Sequence, residues 1–314
     1  MNTDTIYQNN AIAYLPLNLN VNHLRILMAI MLHLQDTIKS GIQGTAQGST
    51  SLPDTLVIPV SDFHLGKCTG TRLRQCLDDL CGMETHKLAL PGHDHAFLIE
   101  DYSFPLYTHD VVIYLTPKIA RLLTNTRNGY FSYSHSLALS LTSKYTLRLY
   151  WLISSWRNRG GFVMKVDELR SILCLGTAYR RFDNIAARIL NPAQNELHVR
   201  FPIWFLYKYC PGVEPRLAFK IRFRYSPAEE KRLRADTYDT IFHLLAAAGM
   251  APSLPAVEPV FAALDPADFK PFLHHLTKVL AHIRTHSVTS PNAYLKASLS
   301  AWLADWTLQF PDDP

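Results

Sequence analysis

Apolar residues recur along the first two thirds of the chain with two different periods. Two sets have the spacing of a helix face: Leu24, Leu27, Met28, Met31 and Leu34, then Leu147, Tyr150, Trp151 and Ile153. Short runs of β-branched and aromatic residues follow each set, and such runs are typical of strands. The pattern therefore predicts two segments that mix helices with short strands.

The second segment predicts the clearer order of elements. These are a helix ending near Gly160, a strand over 162–166, a short helix to Leu173, a turn at Gly176, a helix capped by Thr177, and β runs over 199–207 and 217–225. Pro211 and Gly212 separate the two β runs, so we expect a hairpin there. A helix, a strand, two further helices and a hairpin, in this order, form a winged helix.

The first segment predicts the same order of elements. They are a helix through Leu34, a stretch without periodicity over 37–54 with a surface loop over 40–50, a strand over 56–60, a helix over 71–82, and strands over 96–99 and 111–115. Val60 and Val166 end corresponding strands, and each lies eleven residues before a threonine and fourteen before an arginine. The matched spacing indicates an internal duplication.

The last third predicts helices only. Three segments begin with a capping side chain and then proline, which suits the first helical position: Ser226-Pro227, Asp265-Pro266 and Ser290-Pro291. We therefore predict an α+β fold with two tandem winged-helix domains, residues 1–135 and 136–225, followed by an all-helical C-terminal region, residues 226–314. The acidic character of that region favours contacts with protein rather than DNA.

The net charge of +5 conceals an uneven distribution. Residues 1–135 carry −2 and residues 226–314 carry −3, whereas residues 136–225 hold 15 basic and 5 acidic side chains, a net +10. A basic block of this kind is expected on a surface that binds a polyanion, since each neutralised phosphate releases counterions. We therefore expect nucleic acid to bind the middle segment; a solvated basic surface is the alternative.

Composition disfavours several other classes of protein. The best apolar run, 26–32, is much shorter than the roughly 18 residues that span a bilayer. The N-terminus has no pattern of a secretory signal, so we expect a cytoplasmic protein without a membrane partner. The five cysteines form no Cys-x-x-Cys pair, which argues against a zinc site and a disulfide framework.

The helix predicted from Thr177 has two chemically different sides. At 100° per residue, Phe182, Ile185 and Ile189 lie on the core side. The opposite side and its flanks hold the candidate DNA-binding residues Thr177, Arg180, Arg181, Asn184, Arg188 and Asn191. Arginine and asparagine can bond to guanine and adenine edges in the major groove, so we predict a recognition helix.

Two features qualify the predicted recognition helix. Pro192 removes a hydrogen bond and crowds the preceding turn, so we expect the helix to kink or end there. The alternative to DNA recognition is a solvated face on which the arginines pair with Asp183 or Glu196.

The corresponding helix of the first segment offers four candidate contacts: Thr71, Arg72, Arg74 and Gln75. Asp78 and Asp79 on the same helix would repel phosphates, so we expect it to read DNA less strongly than the second helix. Lys208 and Lys220 lie in the two β runs of the second segment. We predict that both contact phosphates from the wing.

Several motifs follow one another in a recognisable order. They are Gly129-Tyr130-Phe131, Ser143-Lys144-Tyr145 with Arg148-Leu149-Tyr150, Val166-Asp167-Glu168-Leu169, and Tyr179-Arg180-Arg181-Phe182 continuing through Leu190-Asn191-Pro192-Ala193 to Glu196-Leu197. This order resembles the initiators of theta-replicating, iteron-bearing plasmids. Val112-Ile113-Tyr114-Leu115-Thr116-Pro117 also fits their amino-terminal domain, so the resemblance covers roughly residues 10–225.

The resemblance implies a plasmid replication initiator that binds direct repeats, called iterons, in double-stranded origin DNA. In that family the second domain supplies the main recognition helix, here 179–197 with Arg180, Arg181 and Arg188 as basic contacts, and the first domain also forms dimers. The resemblance further implies origin opening, recruitment of the host initiator and replicative helicase, and repression of its own promoter by dimers. Family members carry proline at the position of Pro192, whereas residues 226–314 exceed the short end of the smaller members.

Enzymatic alternatives are poorly supported by the motifs. His93-Asp94-His95 resembles the histidine pair of rolling-circle initiators, which nick DNA with a tyrosine and a metal, but Pro91-Gly92 predicts a turn there. His274 and His275 have no carboxylate at metal-ligand spacing. The glycines of 41–49 come without the lysine of an ATP-binding loop. We therefore expect no catalytic residue, no metal and no cofactor.

A winged-helix transcriptional regulator without initiator activity is the main alternative. The same domains would suit an operator as well as an iteron. A lone inverted repeat as the binding site would favour the regulator, and tandem direct repeats would favour the initiator.

Overall fold

The computed structural model of the protein describes residues 4–44, 54–66, 69–81, 98–125, 129–286 and 288–309. The chain forms two compact units, one made of Met1–Ser155 with Asp167–Ala193 and the other of Trp156–Val166 with Gln194–Pro314. Within the described ranges, no helix is long and apolar enough to cross a membrane.

In its described residues, the first unit mixes helices with five strands. The strands are β1 (Thr5–Asn9), β2 (Thr55–Pro59), β3 (Asp101–Ser103), β4 (Asp110–Tyr114) and β5 (Tyr130–Ser134). The helices are α1 (Asn10–Tyr14), α2 (Val21–Gly44), α3 (Thr69–Leu80), α4 (Pro117–Thr124), α5 (His135–Leu139), α6 (Lys144–Ser155), α7 (Val166–Ile172) and α8 (Phe182–Ile185). The first residue of α7, Val166, belongs to the second unit. A π-helical turn, Ala186–Leu190, and the start of α9 (Asn191–Arg200) follow α8.

Helix α2 supplies much of the core of the first unit. Its five apolar residues predicted from spacing are all buried: Leu24, Leu27, Met28, Met31 and Leu34. The antiparallel sheet β2-β4-β3 packs beside it, with Val57 opposite Val112. With the short 3₁₀ helix Val60–Phe63 and α3, these elements have the predicted winged-helix order.

Two predictions for this unit are wrong. Helix α2 continues to Gly44, into the predicted surface loop 40–50, because residues 37–44 contain no proline to stop it; residues 45–53 lie outside the described part. The strand predicted over 96–99 is replaced by β3, whose Tyr102 lies opposite Ile113 of β4. Ile99 makes an isolated parallel bridge to Cys81, and residues 96 and 97 are outside the described part.

Arg148 is a buried charge in the first unit. Its guanidinium donates hydrogen bonds from α6 to three backbone carbonyls, those of Ile12, Ala13 and Leu15. These carbonyls lie at the C-terminal end of α1, where a helix leaves its last acceptors without partners. Burial lowers the pKa of Arg148 to about 10, so the side chain remains charged at neutral pH and holds α1 against α6.

The second unit combines a sheet with the C-terminal helices. Its elements are β6 (Gly161–Lys165), β7 (Ile203–Cys210), β8 (Arg216–Phe223), α10 (Pro227–Ala247), α11 (Leu254–Ala262), α12 (Phe269–Thr285) and α13 (Pro291–Gln309). The strands form an antiparallel sheet in the order β6-β8-β7. This order, first, last and then middle strand, repeats that of β2-β4-β3 and agrees with an internal duplication.

Helices α10 and α13 begin at the predicted prolines and α12 follows a 3₁₀ turn that begins at Pro266, whereas α11 was not predicted. Ser226 caps α10, and its capping box with Glu229 is complete. Asp265 accepts a hydrogen bond from the backbone N–H of Ala267, just before α12. Helices α10 to α13 share a core that includes Leu245, Phe272 and Leu299.

Candidate nucleic-acid interface

The predicted recognition helix begins at Phe182, five residues later than the predicted cap Thr177, which lies in an exposed turn. Arg170, in the last turn of α7, donates to three carbonyl oxygens of this turn: those of Tyr179 at 2.6 Å, Gly176 at 2.9 Å and Ala178 at 3.1 Å. Tyr179 has φ = 54°, a left-handed conformation that interrupts a right-handed helix. The prediction of Thr177 as the helix cap is therefore wrong.

Sequence reasoning did not single out Arg170. It lies near the C-terminal end of a short helix and is followed by a glycine turn, a position where basic side chains often bond to terminal carbonyls. That pattern could have identified Arg170 as the residue that shapes the entry to the recognition helix.

From Asn184 to Ile189 the buried and exposed positions of the recognition helix agree with the helical period, whereas Phe182, predicted on the core side, is only half-buried. Ile185, Ile189 and Leu190 are buried. The polar candidates are all exposed: Arg180, Arg181, Asn184, Arg188 and Asn191. Arg180 and Arg181 precede Phe182, so they lie at the N-terminal entry of the helix, the part of such helices that reaches base edges.

A π-helical turn carries the chain past Pro192. The backbone N–H of Asn191 donates to the carbonyl oxygen of Ala186, five residues earlier, and α9 then runs through Pro192 to Arg200. Proline has no N–H to donate and crowds the carbonyl four residues before it. The wider turn removes this conflict. Of the two predicted outcomes, a kink or an end at Pro192, the second is therefore wrong.

The exposed arginines differ in how they are engaged. Arg181 pairs with Asp183 at 3.0 Å, and both side chains are more than three-quarters exposed, so this pair is weak and exchangeable. Glu196 pairs with Arg200 at 3.1 Å. In the described part of the chain, no ion pair or hydrogen bond engages Arg180 or Arg188. These two side chains are therefore available to an external anion.

Several basic side chains of 136–225 already bind groups of the protein itself. Arg148 and Arg170 bond to carbonyls, and Arg224 donates to the carbonyl of His198. Lys165 pairs with Glu214 at 2.9 Å, and this hydrogen bond and charge lower the pKa of Glu214. Fewer basic side chains are therefore available to contact a ligand than the composition of the segment suggests.

The two wing lysines have different environments. Lys208 on β7 is exposed. Lys220 on β8 is 3% exposed, and its Nζ lies 3.2 Å from the Asp268 carboxylate. Burial lowers the pKa of Lys220, and Asp268 opposes this effect. The prediction that Lys220 contacts phosphate is corrected, because residues just before α12 cover its side of the sheet.

The corresponding helix of the first segment, α3, is more engaged with its own domain. Thr71 and Gln75 are exposed, whereas Arg72 donates to the carbonyl of Leu65 at 2.8 Å and the Arg74 guanidinium lies 4.5 Å from the ring centre of Phe104. The acids are also engaged, since Asp78 accepts a hydrogen bond from Tyr102 and Asp79 pairs with His23. Burial and this hydrogen bond raise the pKa of Tyr102 to about 12.

The histidine motifs give no metal centre in the described residues. His93-Asp94-His95 lies outside them. His275 stacks on Trp302, with ring centres 5.6 Å apart. Among the residues that the structure describes, no group of three or more His, Cys, Asp or Glu side chains is placed to hold a metal ion.

Two three-stranded sheets of the same strand order, each with helices of a winged helix between its first and second strands, define a tandem winged-helix protein. Family models place this protein more narrowly: Initiator Replication protein, WH1, matches residues 5–154, and Initiator Rep protein, WH2, matches residues 165–209. The chain belongs to the family of replication initiator proteins with two winged-helix domains. The predicted fold class is thereby confirmed.

A solved structure supports the fold. A crystal structure of Pi initiator protein in complex with iteron DNA is similar with a TM-score of 0.50 and 16% sequence identity, covering 72% of this chain and 100% of that chain. At this identity the likeness shows the shared fold. No curated protein sequence matches the chain.

Proposed function

We propose that this protein initiates plasmid replication by binding tandem direct repeats in the double-stranded DNA of an origin. The observation that carries the proposal is the exposed polar face of Arg180, Asn184, Arg188 and Asn191 in a chain that both initiator models match. These side chains can form hydrogen bonds with guanine and adenine edges in a major groove. The similar Pi initiator was crystallised with iteron DNA, which favours direct repeats over the inverted repeat of a transcriptional regulator.

The two domains have different proposed roles. We assign the main reading of bases to the second domain, within 136–225, and a weaker DNA contact together with dimer formation to the first, within 1–135. Thr71 and Gln75 are exposed on α3 and are the better candidates there, because Arg72 and Arg74 already contact Leu65 and Phe104. Thr177 and Arg181 are proposed to contact the backbone near the entry of the second helix.

Further steps follow from the same proposal. The protein acts in the cytoplasm without a membrane partner and catalyses no reaction itself. Because it has no catalytic activity of its own, it recruits the host initiator and replicative helicase. It also helps to open the origin, and its dimers repress its own promoter. The helical region 226–314 is proposed to contact protein rather than DNA.

The proposal is tested by selecting bound duplexes from a random library at near-physiological salt with the full chain. We expect a defined site spanning about two major-groove faces, which occurs as direct repeats on the source plasmid. Selection of a lone inverted repeat would instead indicate a transcriptional regulator. Recovery of duplexes without any consensus would show that the protein binds DNA only through charge.

Arg180→Ala and Asn184→Ala are each expected to weaken binding to the selected site by about 1–3 kcal/mol and to relax discrimination at one base pair. The reason is the loss of a base-edge hydrogen bond from the exposed face. Titrating each variant against the site and its single-base variants measures both effects. Arg121→Ala, an exposed change on α4, is the control. An equal loss on every duplex would reassign the residue to phosphate contact.

Lys208→Ala is expected to weaken binding to all duplexes alike and to reduce the slope of log K against log salt by about one. The exposed Lys208 side chain would lose one phosphate contact. Titrations over a range of salt concentrations measure the slope. Lys165→Ala, which removes an exposed lysine paired with Glu214, is the matched control, and a slope unchanged by Lys208→Ala would remove β7 from the interface.

A further inference from the structure

Helix α12 of the second unit presents basic side chains to solvent. Its 17 residues include no aspartate or glutamate, although residues 226–314 as a whole carry a net −3. Lys270, His274 and Lys278 are exposed, and their spacing of four residues places them on one side of the helix. The two lysines are about 12 Å apart along the helix axis, given a rise of about 1.5 Å per residue. This side of α12 can therefore contact more than one anion.

The turn just before β6 adds two arginines to these side chains. Asn158 of the turn accepts a hydrogen bond from Lys270 Nζ at 2.9 Å. Gly160 lies so close to Pro271 that there is no room for a Cβ atom on it, so the turn packs against the start of α12. The arginines on either side of Asn158 are exposed, and with the row on α12 they form what we call the basic patch: Arg157, Arg159, Lys270, His274 and Lys278.

Within the described ranges, no ion pair engages the arginines and lysines of the basic patch. The Arg157 and Arg159 guanidinium groups lie over aromatic rings, 5.5 Å and 4.8 Å from the ring centres, and Lys270 donates to an uncharged amide. Asp236 of α10 lines a cavity together with Arg157 and Lys270 but pairs with neither. The positive charges of the patch are therefore available to an external polyanion.

We propose that the basic patch binds the phosphate backbone of double-stranded DNA outside the bases that the recognition helix reads. The inference rests on the proposed function, because a duplex held by the recognition helix brings its neighbouring phosphates to a high local concentration. Several separate cations suit a backbone whose charges repeat, and such contacts do not depend on sequence. The patch is thus the exception to the protein contacts proposed for the rest of 226–314.

The test titrates the full chain with two duplexes, one limited to the selected site and one extended by about two helical turns, roughly 20 bp, on each side. We expect the unaltered protein to bind the long duplex about tenfold more tightly than the short one. Lys270→Ala/Lys278→Ala should lose most of this gain and reduce the slope of log K against log salt on the long duplex by about two. The matched control is Lys231→Ala/Arg232→Ala, which removes the same charge from exposed positions of α10 and should keep the gain.

Loss of the gain in the patch variant alone supports the proposal. No gain from the longer duplex, or the same gain in both double variants, would overturn it. A poly-glutamate peptide is titrated in parallel, and binding that depends on the two α12 lysines, without any effect of duplex length, would assign the patch to an acidic protein surface instead. The proposed function is judged separately, by the preference of the unaltered protein for the short duplex over a scrambled one. Both variants should bind the short duplex like the unaltered protein, which shows that they are folded.

Discussion

Arg148→Met lowers the free energy of unfolding of the first unit by about 3–5 kcal/mol in our expectation, enough to threaten a domain of ordinary stability. The substitution keeps most of the apolar stem but removes the guanidinium, which is the donor to the carbonyls of Ile12, Ala13 and Leu15. These acceptors would stay buried without a replacement donor, and each such loss is costly.

Urea unfolding followed by tryptophan fluorescence measures this effect, since the Arg148 guanidinium lies 5.5 Å from the ring centre of Trp151. Arg121→Met makes the same chemical change at an exposed position of α4 and should cost well under 1 kcal/mol. Arg148→Lys should fall between the two, because one ammonium cannot reproduce the fork of donors. Equal midpoints for Arg148→Met and Arg121→Met would contradict a structural role for Arg148.

Asp268→Asn is expected to destabilise the second unit by a similar amount, about 3–5 kcal/mol. The Asp268 carboxylate lies 3.2 Å from Lys220 Nζ and 3.3 Å from the Arg222 guanidinium, and all three side chains are largely buried. An amide would leave Lys220 without its counter-charge and Arg222 with only the half-exposed Asp265, 3.8 Å away. Removing one member of such a cluster costs more than removing the cluster as a whole.

That difference supplies the control for Asp268. The double variant Lys220→Met/Asp268→Asn should be more stable than Asp268→Asn alone, because one of the unbalanced cations is gone. Thermal and urea unfolding of the single and double variants complete the double-mutant cycle. A single variant within 1 kcal/mol of the unaltered protein, roughly the size of an ordinary surface change, would show that solvent reaches the cluster.

The buried and exposed positions of an element could be predicted from the sequence wherever one of its sides is buried. Counting 100° per residue placed Ile185 and Ile189 inside and Asn184 and Arg188 outside, and the structure agrees. The order of elements was predictable for the same reason, because burial imposes the period on each element separately. The roles of the exposed residues stay predictions.

Features that depend on contacts outside the element itself could not be predicted from its helical period. The start of the recognition helix depends on hydrogen bonds from Arg170 to the turn before it, and no local propensity marks Thr177 as unsuitable for a cap. Lys220 lies in a strand that is buried on both faces, because Asp268 and its neighbours cover one side. The alternation of buried and exposed residues that a wing with one solvent face would show is therefore absent from β8.

The π turn at Ala186–Leu190 has a consequence for the angle at which the two ends of the helix would meet DNA in the proposed complex. One residue added to a turn rotates all later residues by about 100° relative to an uninterrupted α-helix. Asn184 and Asn191 therefore lie on two helical segments whose faces are offset by a fixed angle. A uniform α-helix through the same residues would turn Asn191 by more than a quarter of a revolution relative to Asn184. The spacing between the bases that the two asparagines could reach is thus encoded in the backbone as well as in the side chains.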